Sequence, residues 1–160
     1  MPPRTLFADT FYWIALLFPR DAFHTAVSAF SQTLRGIRLA ATDEVLGEDL
    51  THFAGFGLYW RAKVAGLVHA VRSDPDVDVL PQTRADFDAA LALYEARPDK
   101  DYSLTDCRSM LALRVTAFLE SRRRPPRPRS IRRVEAALSN IDHGQSALLV
   151  RGESTCTVIA

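Results

Sequence analysis

Asp9, Glu44 and Asp106 are three acids remote in sequence, each placed where a short apolar run ends or a helix should begin. Asp9 closes TLFAD, Glu44 follows LAATD, and Asp106 lies in SLTDC. Carboxylates gathered at one place repel one another, so they are stable together only around a cation. Ligation by oxygen alone favours a hard ion, Mg²⁺ or Mn²⁺. Such an ion can bind a phosphate, activate a water and stabilise a leaving oxygen. The chemistry expected is metal-dependent cleavage of a phosphodiester bond. Each acid also has a plainer role. Asp9 could cap the helix beginning at Thr10, and Glu44 and Asp106 would complement a helix dipole from its first turn. Thr10 and Ser103 carry hydroxyls that could orient the acids from behind, or serve only as caps.

For these acids to meet, the elements before them must end at one edge. RTLFA reads as a buried first strand and IRLAAT as a second. If they are parallel neighbours, their carboxyl ends share the sheet edge where ligands bind in open α/β folds. FYWIALLF is a helix ending near Pro19. Asp21 can cap a second helix, AFHTAVSAFSQTLR, with Phe23, Val27, Phe30 and Leu34 on one face and Gly36 as its stop. Thr42 or Asp43 caps a helix through VLGEDLTHFA. GFG is a break before LYWRAKVAGLVHAVR, whose Trp60, Val64, Leu67, Val68 and Val71 repeat at helical spacing. DPDVDVLP gives a turn and a short third strand. Thr83 and Asp86 form a capping-box-like start to the next helix, Pro98 ends it, and Ser103 caps another that carries Asp106 at its N3 position. Alternating strands and helices imply a mostly parallel sheet with helices on both faces, a three-layer α/β/α fold.

Three segments carry a family resemblance. LFADTFYWIALLFPRDAFHTAV, TDEVLGEDLTHFA and DVLPQTRADFDAALALYEARPDKDYSLTDCRSM resemble PIN-domain proteins of the VapC toxin type, over residues 5 to 121. Any one segment would be weak; the combination is specific. The resemblance implies a PIN-like domain over residues 1–121, with Asp9, Glu44 and Asp106 as catalytic, metal-holding acids. It also implies Mg²⁺- or Mn²⁺-dependent endoribonuclease activity on an RNA substrate, a cognate antitoxin that occludes the site, and a homodimer. The alternative is a PIN-fold protein that binds RNA or an antitoxin through an incomplete, inactive site.

Residues 122–160 form a divergent basic segment. They hold 8 Lys and Arg against 3 Asp and Glu, whereas residues 1–121 hold 12 against 16. SRRRPPRPRS cannot pack as an ordinary core element; IRRVEAALSN could be a short helix, and SALLV and CTVIA look like strands. Arg122, Arg123 and Arg124 could attract an RNA backbone, or belong to a solvated connector. Relatives continue to a fourth acid in an ND-x-H-F-like motif, and two placements compete for it. One puts the acid near position 122, where Arg122 stands; the tail would then be a gene read in a shifted frame after codon 121, which translating the other frames tests. The other takes AALSNIDHG as the motif, with Asp142 as a candidate ligand.

The remainder fits an ordinary globular domain of 160 residues, 48% hydrophobic and 24% charged. Phe11 to Phe18, the longest apolar run, is too short to span a bilayer. No signal-peptide pattern precedes the first strand, and Cys107 and Cys156 form no disulfide framework, so a cytoplasmic setting is expected. Cys107 reads as a small buried residue. His24, His52, His69 and His143 lack ligand spacing, and Phe56, Tyr59 and Trp60 could be core or a docking surface, with Trp60 the one assigned to the core.

Overall fold

The computed structural model describes residues 5–120 and 156–159. Arg122, Arg123, Arg124 and Asp142 lie outside the described residues, as do IRRVEAALSN and SALLV.

Thr5–Ala8 form β1, buried at all four positions because helices cover both faces of the sheet. Arg38–Thr42 form β2 and Val77–Leu80 form β3. Cys156–Ile159 form β4, so the expected CTVIA strand is present and lies beside β1. The sheet order is β3-β2-β1-β4, and every pairing is parallel. Leu6 is in register with Leu39, and Leu39 with Val77. The carboxyl ends of β1 and β2 therefore open on the same edge, as the sequence required.

Six helices connect these strands: α1 (Thr10–Leu17), α2 (His24–Ser31), α3 (Asp43–His52), α4 (Leu58–Ser73), α5 (Arg84–Ala96) and α6 (Leu104–Glu120). The expected caps form at α3 and α5. Thr42 Oγ1 accepts from the Val45 amide at 3.3 Å, and Thr83 Oγ1 accepts from the Asp86 amide at 3.1 Å. α2 is shorter than its apolar periodicity implied. Ser31 turns its hydroxyl back onto the Val27 carbonyl at 2.8 Å, and Thr33 does the same to Phe30 at 2.7 Å. Such bonds compete with continuation of the helix, and Leu34 is buried from a turn instead. Gly36, at φ +73°, then serves the turn into β2 and not the end of α2.

The core lies between the sheet and α1, α3 and α4, with Phe7, Tyr12, Trp13, Val45, Phe53, Val64 and Val71 withdrawn from solvent. Phe18, Phe53 and Trp60 make mutual ring contacts at 5.0–5.9 Å. Trp60 thus packs on the core, whereas Phe56 and Tyr59 are exposed. Gly57, at φ +88°, makes the break before α4. Cys107 is buried as expected. No helix among the described residues is long and apolar enough to cross a membrane.

Candidate active site

Asp9 occupies the junction between β1 and α1. Its backbone has the extended conformation of an N-cap residue, yet its side chain makes no capping bond. The carboxylate is held instead by Ser109 of α6, whose hydroxyl donates to Oδ1 at 3.3 Å. Burial pushes the Asp9 carboxyl above its ordinary range, and the charges of Asp106 and Glu48 push it the same way, while bonds from Thr10 and Ser109 oppose them. Trp13, fully buried, donates from Nε1 to the Ala8 carbonyl at 3.2 Å and so pins the end of β1 beneath the acid.

Asp106 comes to the same edge on the first turn of α6. One of its oxygens accepts from the Ser103 amide at 2.6 Å, and its own amide donates to Ser103 Oγ at 3.0 Å. This reciprocal cap fixes the acid where its charge reaches Asp9. Ser103 is therefore a cap for the helix and, through it, a support for Asp106.

Glu44 is engaged elsewhere. Its Oε1 accepts from Arg108 Nε at 3.0 Å, and both side chains are largely withdrawn from solvent. Arg108 also reaches the Pro81 carbonyl at 3.4 Å and Asp86 at 3.5 Å, tying α6 to α3, α5 and the end of β3. The acid of α3 that stands beside Asp9 is Glu48, whose Oε2 accepts from the Thr10 hydroxyl at 2.5 Å. Residues four apart on a helix share one side; Arg108 engages Oε1 of Glu44, and its Oε2 is buried without a hydrogen-bond partner among the described residues.

Asp49, next to Glu48, is fully buried, and neither of its oxygens has a hydrogen-bond partner among the described residues. Burial, then the charges of Glu48 and Asp9, push its carboxyl up to about 9. Sequence reasoning passed over Glu48, Asp49 and Ser109. Glu48 and Asp49 were visible as adjacent acids in GEDL; Ser109 carried no signal beyond lying three residues after Asp106.

As the side chains stand, no group of three or more His, Cys, Asp or Glu among the described residues is arranged to hold a metal ion. The donors nevertheless suit a hard cation: Asp106 and Glu48 act on Asp9 through like charge, and Glu44 and Asp49 on the same helix keep buried carboxyl oxygens without a partner among the described residues.

Comparison with solved structures bears on the fold. The VapC20 toxin of Mycobacterium tuberculosis, described as cleaving the sarcin-ricin loop, superposes with a TM-score of 0.62, covering 70% of this chain and 83% of that one at 24% identity. The chain has a PIN-like α/β fold similar to that of this toxin. No protein-family model matches the sequence, and no curated protein matches it significantly. The likeness confirms the α/β architecture expected from the alternation of strands and helices.

Proposed function

We propose that the protein is a divalent-metal-dependent endoribonuclease, the toxin of a toxin–antitoxin pair. The observation that carries this is the state of Asp9. A carboxylate at a helix start that makes no capping bond, is half-buried and is crowded by Glu48 and Asp106 is placed for a ligand, not for the helix. The VapC PIN fold, found in a toxin that cuts RNA, supports the reaction class.

Asp9, Glu48 and Asp106 would hold the ion. When bound, a divalent cation supplies Lewis-acid stabilisation of a phosphate and lowers the pKa of water. The rest belongs to the chain. Ser109 fixes the orientation of Asp9, Thr10 fixes Glu48, and Ser103 fixes Asp106. Arg108, held by Glu44, sets α6 against α3 so that these three supports face one another. On this reading Glu44 anchors the site through Oε1, while its Oε2, buried without a partner among the described residues, stays open to a ligand. With a cation held there, the acids at this sheet edge would no longer bar an RNA backbone by their own negative charge. The arginines of residues 122–133 would add sequence-independent attraction.

The test is cleavage of an RNA carrying a sarcin-ricin-type loop in Mg²⁺ or Mn²⁺, beside an Asp9→Asn variant. Metal-dependent cutting lost in the variant supports the assignment. Equal cutting in both is contamination, and binding without cutting overturns the enzyme in favour of a binding protein.

A further inference from the structure

Helices α5 and α6 form a hairpin whose level is fixed by Arg108. Its guanidinium lies 3.5 Å from Asp86 in the first turn of α5 and 3.4 Å from the Pro81 carbonyl just after β3. Asp86 and Arg108 are equally far in sequence from Arg97, so the two helices run antiparallel with their tip at residues 97–103. Ser109 reaches Asp9 and Ala112 joins the core, so α6 lies against the sheet from there onward. The hairpin before that level projects past the carboxyl edge. From Asp86, α5 runs on to Ala96, about 15 Å at about 1.5 Å per residue. Ala90 is its one buried residue.

The arm carries rings and cations together. Arg84 Cζ stands 5.8 Å over the Phe87 ring, and Arg97 Cζ 6.0 Å over the Tyr102 ring. Phe87, Leu91 and Tyr94 follow at helical spacing along one flank, with Tyr94 51% exposed. At the tip, Arg97 donates from Nε and Nη2 to Asp99 at 2.8 and 3.0 Å, and Lys100 Nζ lies 3.6 Å from the same acid. Asp99 thus engages the tip's cations, and what the tip offers a ligand is ring surface. Tyr102 is joined to the acidic centre by the chain itself, since the next residue, Ser103, caps Asp106.

We propose that this arm is a stacking platform for single-stranded RNA, holding on Tyr94 and Tyr102 the bases that flank the bond to be cut. The proposal rests on the ribonuclease reading above and assigns residues that hold its substrate. Every base has a π-face, so stacking tolerates any sequence, and the arm positions the strand without selecting it. The acids of the centre repel a phosphate backbone until a cation arrives. Rings do not, so the arm engages RNA with or without metal.

Fluorescence anisotropy of a short labelled oligoadenylate with the full chain in EDTA tests it, because EDTA keeps the RNA whole and the arm needs no metal. Inorganic polyphosphate, with a backbone's charge and no bases, is the comparison probe. Tyr94→Ala and Tyr102→Ala, each checked for native secondary structure by circular dichroism, should weaken oligoadenylate binding about tenfold. Polyphosphate binding should stay unchanged, and so should the slope of affinity against salt, since no phosphate contact is lost. Tyr94→Phe and Tyr102→Phe keep the rings and should bind as wild type does. Wild-type oligoadenylate affinity in the folded Ala variants, or an equal loss on polyphosphate, would overturn the platform while leaving the nuclease reading to its cleavage test. So would a wild-type chain that binds no oligoadenylate. A shift from dimer to monomer in the Ala variants by light scattering, with oligoadenylate affinity intact, would make the rings a contact between copies instead.

Discussion

The Thr10 hydroxyl donates to Glu48 Oε2 at 2.5 Å, joining the residue after Asp9 to an acid 38 positions later on α3. The bond holds one carboxylate beside another despite their mutual repulsion. Glu48→Gln should therefore reduce RNA cleavage by about a hundredfold, the upper end for disturbing residues around a metal site, with the fold retained. Thr10→Val, which keeps the side-chain shape and loses the bond, should cost about tenfold. Glu44→Gln should leave more activity than Glu48→Gln in the folded fraction. Steady-state cleavage rates of the three variants decide this; a Glu44→Gln protein that is folded but as inactive as Glu48→Gln would restore Glu44 as the ligand.

Stability is where Glu44 should matter. Arg108 is 4% exposed in its side chain and Glu44 12%, so removing one partner strands a buried charge. Glu44→Ala should lower unfolding free energy by about 3 kcal/mol, the lower end for a broken buried pair because Asp86 and Pro81 still contact the guanidinium. Adding Arg108→Met to that variant should recover part of the loss. Urea unfolding of the two single variants and the double variant measures the coupling; additive losses would mean that the pair is not a unit.

Most of the fold was legible because it depends on local signals. Thr42 and Thr83 mark helix starts by chemistry that needs no distant partner, and TLFA and RLAAT announce buried strands by unbroken apolarity. The site was legible only as far as the junctions were. The positions of Asp9 and Asp106, before and within helix starts, were legible, and the structure brings the charge of Asp106 to bear on Asp9. Choosing between Glu44 and Glu48 requires knowing that Arg108, 64 residues from Glu44, lies against the first turn of α3. Periodicity alone gives both acids nearly the same side of the helix. Asp49 did leave a trace, a charge interrupting the stripe of Val45, Leu46 and Phe53. Where α2 ends was not legible, because side-chain bonds from Ser31 and Thr33 decide it.

Trp13 couples the core to the edge that carries Asp9. Its indole donates to the Ala8 carbonyl at 3.2 Å from a fully buried position. Trp13→Phe removes that donor and leaves a small void, which together should cost about 2 kcal/mol. Because Ala8 directly precedes Asp9, cleavage per folded molecule should also fall severalfold. Chemical denaturation and activity normalised to the folded fraction separate the two effects; unchanged activity would confine Trp13 to packing.

In the absence of divalent cation, stability should fall as pH rises, the reverse of what ion-paired carboxylates give. Asp49 is pushed from an ordinary 3.8 to about 9 by burial and then by Glu48 and Asp9. Below pH 4 its carboxyl is protonated whether the chain is folded or not. Between about 4 and 9 the unfolded chain gives up that proton while the folded chain keeps it, so unfolding releases protons. Stability then declines across that window by up to about 1.4 kcal/mol per pH unit, and levels off above it. Asp9, also raised by burial, contributes with the same sign. Asp49→Asn cannot ionise and should flatten the decline, making the variant more stable than wild type by a margin that widens from pH 5 to pH 8. Urea unfolding in EDTA at several pH values measures both slopes. Parallel slopes in wild type and variant would mean that Asp49 is already neutralised by a group that does not depend on added metal.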